Sequence, residues 1–158
     1  MFGSPPKLTP GDAAPTFALP AHDGSQIALV EYRGKKRVVL AFYPEDDTAG
    51  CTRALNALQA HAPQFEAFQT QLLGASHNLS ESQQRFAAKH GLSFPLLSDP
   101  RGEVARQYGA KDLLPYFHRK TFLIDGRGVL RLILDGQPPV EELLTFLDGV
   151  RGDLSEAL

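Results

Sequence analysis

Cys51 is the single cysteine of this 158-residue chain, and it closes the segment Tyr43-Pro44-Glu45-Asp46-Asp47-Thr48-Ala49-Gly50-Cys51. A thiol becomes a strong nucleophile, and an oxidisable one, once it is ionised. Residues 37–43, Arg-Val-Val-Leu-Ala-Phe-Tyr, read as a buried strand, and residues 52–60 are made of good helix formers. A strand, a loop with Pro and Gly, and a helix opening at a cysteine place the sulfur where unpaired N–H groups and the helix dipole stabilise an anion. Thr48, three residues earlier, can bring its hydroxyl beside the sulfur in a tight first turn or serve as the helix N-cap. Pro44 either stiffens the loop over the thiol or simply ends the strand. An inert, buried cysteine is the competing reading, but Gly50 and Thr48 make a poor hydrophobic pocket.

The elements that must position these groups follow from pattern. Segments 16–19 and 26–29 around His22-Asp23-Gly24-Ser25 predict a small hairpin. Pro63 interrupts the helix that begins at the cysteine, with Phe65 and Phe68 continuing its apolar face. Residues 72–76 predict a strand. Ser80-Glu81-Ser82-Gln83 has capping-box spacing at the head of a helix that runs to His90 and stops at Gly91. Residues 94–97 predict a short strand and 103–108 a short helix ended by Gly109. Segments 121–125 and 129–134 flank Gly126-Arg127-Gly128 as a second hairpin, so that glycine pair is a turn and not a phosphate loop. Pro138-Pro139 launches a closing helix over 140–150. Alternating strands and helices, then a hairpin and a helix, make an α/β fold with a mixed sheet.

Composition narrows the function. A formal net charge of −2 gives no basic footprint for nucleic acid and no polybasic membrane patch, and no apolar run reaches the length of a membrane span. The N-terminus lacks the pattern of a signal peptide, and one cysteine suits a reducing compartment, so the expected location is cytoplasmic. His22, His61, His77, His90 and His118 are scattered without metal-ligand spacing. Neither a metal nor a cofactor is expected.

Four linked words, Phe42-Tyr43-Pro44, Asp46-Asp47-Thr48, Gly50-Cys51-Thr52 and Phe94-Pro95-Leu96-Leu97-Ser98-Asp99, occur in order, followed by Arg119 just before Thr121-Phe122-Leu123-Ile124-Asp125. In this wording the chain resembles the peroxiredoxins, and most of all their bacterioferritin-comigratory-protein or Q-type branch. The resemblance runs from Gly11-Asp12-Ala13-Ala14-Pro15 through the closing helix. It implies a thioredoxin-like fold of the peroxiredoxin type: a mixed central sheet flanked by helices, with an N-terminal β-hairpin. One domain is expected over 11–151, preceded by an extended arm over 1–10 and followed by a tail over 152–158.

The resemblance also implies a thiol-dependent peroxidase acting on hydrogen peroxide or organic hydroperoxides. The family's active site is a Pro, three residues, Thr or Ser, two residues and Cys, completed by a distant Arg. Here these are Pro44, Thr48, Cys51 and Arg119. Breaking an O–O bond by displacement needs a thiolate aimed at one oxygen and stabilisation of the charge growing on the other. Cys51 is then the peroxidatic nucleophile, Thr48 aligns the peroxide, Pro44 shields the thiol, and the permanent charge and several donors of Arg119 hold the thiolate and both oxygens. On residue type alone Arg119 reads as a surface residue. Arg53, near the start of the helix, is the weaker local competitor, and His118, beside Arg119, reads as surface or packing.

Two departures from the family pattern matter. Many Q-type relatives carry a resolving cysteine five residues after the first, where this chain has Asn56. Resolution therefore requires an external thiol: a thioredoxin-type protein, a glutaredoxin, a small thiol or a second copy of the chain. A monomer or weak homodimer is expected. Ala49 stands where relatives commonly have Pro, and Glu45 adds to Asp46 and Asp47 a third carboxylate that disfavours a nearby thiolate unless all three point into water. The alternative function is a peroxide sensor or redox relay that forms a mixed disulfide with a partner through Cys51.

Overall fold

The computed structural model describes residues 7–155. Most of the arm expected over 1–10, and the tail residues 156–158, lie outside the described residues. The chain first forms the expected hairpin, β1 (Ala18–Pro20) antiparallel to β2 (Gln26–Ala28), followed by a 3-10 turn at Leu29–Tyr32. Strand β3 (Arg37–Phe42) leads through the Cys51 loop into α1 (Ala49–Ala60), and α2 (Ala62–Ala67) follows with Pro63 in its first turn, where a missing N–H costs nothing. Then come β4 (Thr70–Ser76), α3 (Ser80–His90), β5 (Leu96–Ser98), α4 (Glu103–Gln107), β6 (Lys120–Ile124), β7 (Leu130–Asp135) and α5 (Val140–Asp148).

The five longer-range strands order as β5-β4-β3-β6-β7, with β3, β4 and β5 parallel and β6 and β7 antiparallel to their neighbours. The sheet is mixed, as expected. Every residue of β3 is buried, because successive side chains alternate between two covered faces. Val38, Leu40 and Phe42 join Phe17, Leu29, Tyr108, Phe117 and Phe122 under the hairpin and α4. Val39, Ala41 and Tyr43 face the other way, among Leu55, Leu58, Phe65, Phe86, Leu143 and Leu147 of the four remaining helices. Cys51 belongs to this second cluster.

One local expectation changes. The capping box at Ser80 does not form: Leu79 is the N-cap of α3, without a side-chain cap. Gln83 is fully buried and donates instead to Ser76 Oγ (3.1 Å) and to the Leu97 carbonyl (2.7 Å), because those acceptors of the sheet have no water to turn to. The start of the 152–158 tail is also tied down. Asp153, 6 % exposed, accepts Arg37 Nε (2.9 Å) and Nη2 (2.7 Å) and the Gly126 N–H (2.8 Å), and the Ser155 N–H donates to the Gly34 carbonyl (2.7 Å). Arg37 is itself buried and donates further to the Phe68 and Val150 carbonyls. Gly91 ends α3 with a left-handed φ of 64°, which only glycine adopts freely.

Candidate active site

Strand β3 ends at Phe42, and seven residues later α1 opens with Thr48 as its backbone N-cap (φ −85°, ψ 152°) and Cys51 in its first turn. The Thr52 N–H closes that turn on the Thr48 carbonyl at 2.8 Å. The thiol faces inward and is fully buried. Neighbouring strand β6 pairs antiparallel with β3, and its first residue, Lys120, lies opposite Phe42. Arg119, one position earlier, is thereby delivered to the mouth of the same loop. Its Nη2 lies 3.6 Å from Cys51 Sγ and donates to it, while its Nε is buried with no partner among the described residues. A guanidinium has the charge and the number of donors that such a contact and a bound oxygen could both use.

Two contacts that the sequence did not signal make room for Arg119 and fix it. A Cβ on Gly50 would overlap Nη2 and fall 2.9 Å from Cζ, so the guanidinium can lie over the first turn of α1 only because position 50 is glycine. The Gly136 N–H donates to the Arg119 carbonyl (3.0 Å), and Gln137 on the same β7–α5 connection points its Nε2 at the Gly50 carbonyl (3.5 Å). Residue identity alone carries no trace of either contact.

The remaining predicted residues fall as follows. Thr48 is exposed at the head of α1, and its hydroxyl donates to the Glu45 carbonyl (3.4 Å) instead of capping a helical N–H. Pro44 is half-buried directly after β3. Arg53 is exposed on α1, whereas Arg119 is the arginine on the sulfur. His118 turns to Asp112, with Nε2 3.2 Å from Oδ2. Phe42, Phe65, Phe86 and Phe122 are core.

The three carboxylates are each drawn to partners of their own. Glu45 accepts from Asn78 Nδ2 at 2.9 Å, with His77 Nε2 at 3.2 Å, and the Asn78 donation first of all holds its carboxyl below the ordinary range. Asp47 meets Lys89 and His90, which lower it in the same way. Asp46 turns inward rather than into water: it accepts Tyr43 Oη (2.7 Å) and Ser82 Oγ (2.6 Å), and its N–H donates to Asn78 Oδ1 (2.9 Å). Burial pushes the Asp46 carboxyl up against those donors, and burial with Asp46 alongside pushes the Tyr43 phenol well above its usual value. The expectation that all three point into water fails at Asp46, and each carboxylate serves as a fastening of the loop.

Sequence and structure comparisons identify the family of the chain. The AhpC/TSA family model matches residues 10–133. The chloroplastic peroxiredoxin Q of Sedum lineare is 33% identical over 151 residues, covering 92% of this chain and 81% of the relative. Peroxiredoxin Bcp of Escherichia coli strain K12 is 36% identical over 135 residues, covering 81% and 86%. The crystal structure of peroxidoxin BcpB from Mycobacterium tuberculosis aligns with a TM-score of 0.83 at 29% identity, over 90% of this chain and 98% of that one. With a thioredoxin-like fold, a thiol at the head of the helix after β3, and these matches along most of its length, the chain belongs to the AhpC/TSA family as a peroxiredoxin of the Q/Bcp type.

Proposed function

We propose that this thiol-dependent peroxidase works through Cys51 alone, with its sulfenic acid resolved by an external thiol. The contact of Arg119 with Cys51 Sγ at 3.6 Å carries the reading, because it joins a nucleophile to a donor able to receive charge. The Cys51 thiolate attacks one oxygen of ROOH; the S–O bond forms as the O–O bond breaks. The leaving alkoxide takes a proton and departs as ROH, leaving Cys51 as sulfenic acid. An external thiol then attacks that sulfur and expels water, and a second thiol releases Cys51 from the mixed disulfide. Asn56, where many relatives keep a resolving cysteine, lies on the exposed side of α1 and carries no sulfur. Peroxiredoxins are reduced by thiol proteins such as thioredoxin, and a reductant of that class, a glutaredoxin or a small thiol fits this cycle. So does a reducing, cytoplasmic location. Leu113, Leu114 and Tyr116, exposed on the segment that leads into Arg119, offer an apolar rim suited to an organic hydroperoxide.

Intact mass after about one equivalent of peroxide, with a sulfenic-acid trap present, tests the reading. Rapid addition of one oxygen at Cys51, followed by sustained turnover with a thiol reductant, is the expected result. Consumption of a single equivalent and capture of one partner would favour the sensor instead. Because the chain lacks Trp, mass serves better than fluorescence.

Two substitutions probe the site. Arg119→Ala is expected to slow sulfenic acid formation about 10²–10³-fold, the usual cost of removing a donor from developing charge. Gly50→Ala, which leaves Arg119 in the chain and closes its place, should give part of the same loss. An unchanged rate in Arg119→Ala removes that residue from the chemistry. Thr48→Val should reduce the oxidation rate more than Thr48→Ser, since serine keeps the hydroxyl; equal rates would reduce Thr48 to a backbone helix start.

A further inference from the structure

Asp47 occupies a backbone conformation that a residue with a side chain seldom takes, φ 60°, in the left-handed region that Asp tolerates better than most residues. Its carboxylate is gripped from outside the loop: Lys89 Nζ lies 2.8 Å from Oδ2 and His90 Nε2 lies 3.0 Å from Oδ1. Both partners are the final residues of α3, where the helix dipole favours cations, and the His90 ring is itself set edge-on against Phe86 at 5.2 Å. The next residue after Asp47 is Thr48, and α1 begins one residue later. Only the N-cap Thr48 (φ −85°, ψ 152°) lies between the left-handed dihedral and the helix that carries Cys51, so that dihedral bears on the direction in which the thiol and the Thr48 hydroxyl are presented. The preceding residues, Glu45 and Asp46, are fastened to Asn78 and Ser82 near the opposite end of α3.

We propose that Asp47, Lys89 and His90 are positioning residues for the peroxidase reaction: a clamp from the C-terminal end of α3 that holds Asp47 left-handed and keeps the first turn of α1 aligned between Arg119 and an incoming peroxide. The clamp rests on the peroxidase reading above. Lys89 and Asp47 are poorly shielded, with side chains 62% and 47% exposed, while the His90 side chain is 20% exposed. Surface pairs of that kind add little to global stability, so the energy of this contact is felt in alignment and not in whether the chain folds.

The experiment measures the rate of Cys51 sulfenic acid formation by hydrogen peroxide, alongside the thermal unfolding midpoint, in wild type and five variants. Asp47→Ala and the paired Lys89→Met/His90→Phe, which keeps a ring on Phe86, are each expected to slow oxidation about 10–100-fold, the scale of a small misplacement of reacting groups; the paired variant does so at an unchanged midpoint, whereas Asp47→Ala also lowers the midpoint, because alanine tolerates φ 60° less well than Asp. Asp47→Gly, free to adopt φ 60° but without a carboxylate, should remain slow if the grip itself is needed. Asp47→Asn, which tolerates the same backbone and keeps an acceptor, should recover most of the rate. Combining Asp47→Ala with Lys89→Met/His90→Phe should be no slower than either alone, because one contact cannot be lost twice. Variant rates equal to a fast wild type overturn the clamp, as do losses that only follow a falling midpoint. A wild-type thiol reacting no faster than an ordinary cysteine overturns the peroxidase reading itself.

Discussion

Cys51→Ser is expected to abolish peroxide consumption. The hydroxyl that replaces the thiol stays protonated at neutral pH and is a weak nucleophile without a general base. Among the described residues, the partner that the structure gives the sulfur is the Arg119 guanidinium, a donor without acceptor capacity and so no base. No other sulfur nucleophile exists in the chain to take over, since the only further sulfur is a single methionine. Serine is close in size to the cysteine it replaces, so the fully buried site should still fold. Circular dichroism establishes the fold, and peroxide consumption with excess thiol reductant reads the chemistry. Turnover above the background reaction of the reductant in a folded Cys51→Ser protein would remove Cys51 as nucleophile and with it the whole reaction scheme.

Asp153→Ala should destabilise the fold by about 3–5 kcal/mol, the cost of leaving one member of a buried ion pair without its partner. Arg37 would keep its bonds to the Phe68 and Val150 carbonyls but lose both carboxylate oxygens, and the Gly126 N–H would lose its acceptor as well. Against the 5–15 kcal/mol that holds an ordinary domain together, this is a large fraction, and denaturant unfolding would show it as a lower midpoint. A change below about 1 kcal/mol would place the pair with surface ion pairs despite its burial. The pH dependence has a definite sign. Burial pushes the Asp153 carboxyl up, but donation from Arg37 and from the backbone outweighs it and holds the group below its ordinary value. The resulting stability is present above the unfolded carboxylate pKa of about 3.9 and is lost as pH falls through the lower folded value. Asp153→Ala should not show that part of the acid transition. The pair sits at the start of β3, about 20 Å of extended strand away from the loop that holds Cys51, so peroxide reactivity of the folded variant should be retained.

The acidic run shows how local reading reaches a limit. Glu45, Asp46 and Asp47 lie side by side in sequence, and taken there they are three charges near a thiolate. In the fold they diverge to Asn78, to Tyr43 with Ser82, and to Lys89 with His90. Ser80-x-x-Gln83 fails as a capping box for a related reason: Gln83 has stronger claims on it from a buried strand end than from its own helix. Hydrogen-bonding side chains have several admissible partners, and burial of distant acceptors decides among them.

What the sequence determined alone is what depends on neighbours along the chain. A continuous apolar run rich in β-branched and aromatic residues marked β3, helix formers and Pro63 marked α1 and the break after it, and glycines marked the stops at Gly91 and Gly109. Together these put a lone thiol at the head of a helix following a buried strand. The absence of a second cysteine, and hence of any internal disulfide, was equally plain. Arg119 was reachable only through resemblance, because its contact with Cys51 spans sixty-eight positions and exists through the β3–β6 register that sets Lys120 opposite Phe42. Gly50 as clearance for that guanidinium, and Lys89 and His90 as the grip on Asp47, belonged wholly to the tertiary structure. Such contacts depend on where packed elements bring their surfaces together, which sheet register and core packing decide and local propensity does not.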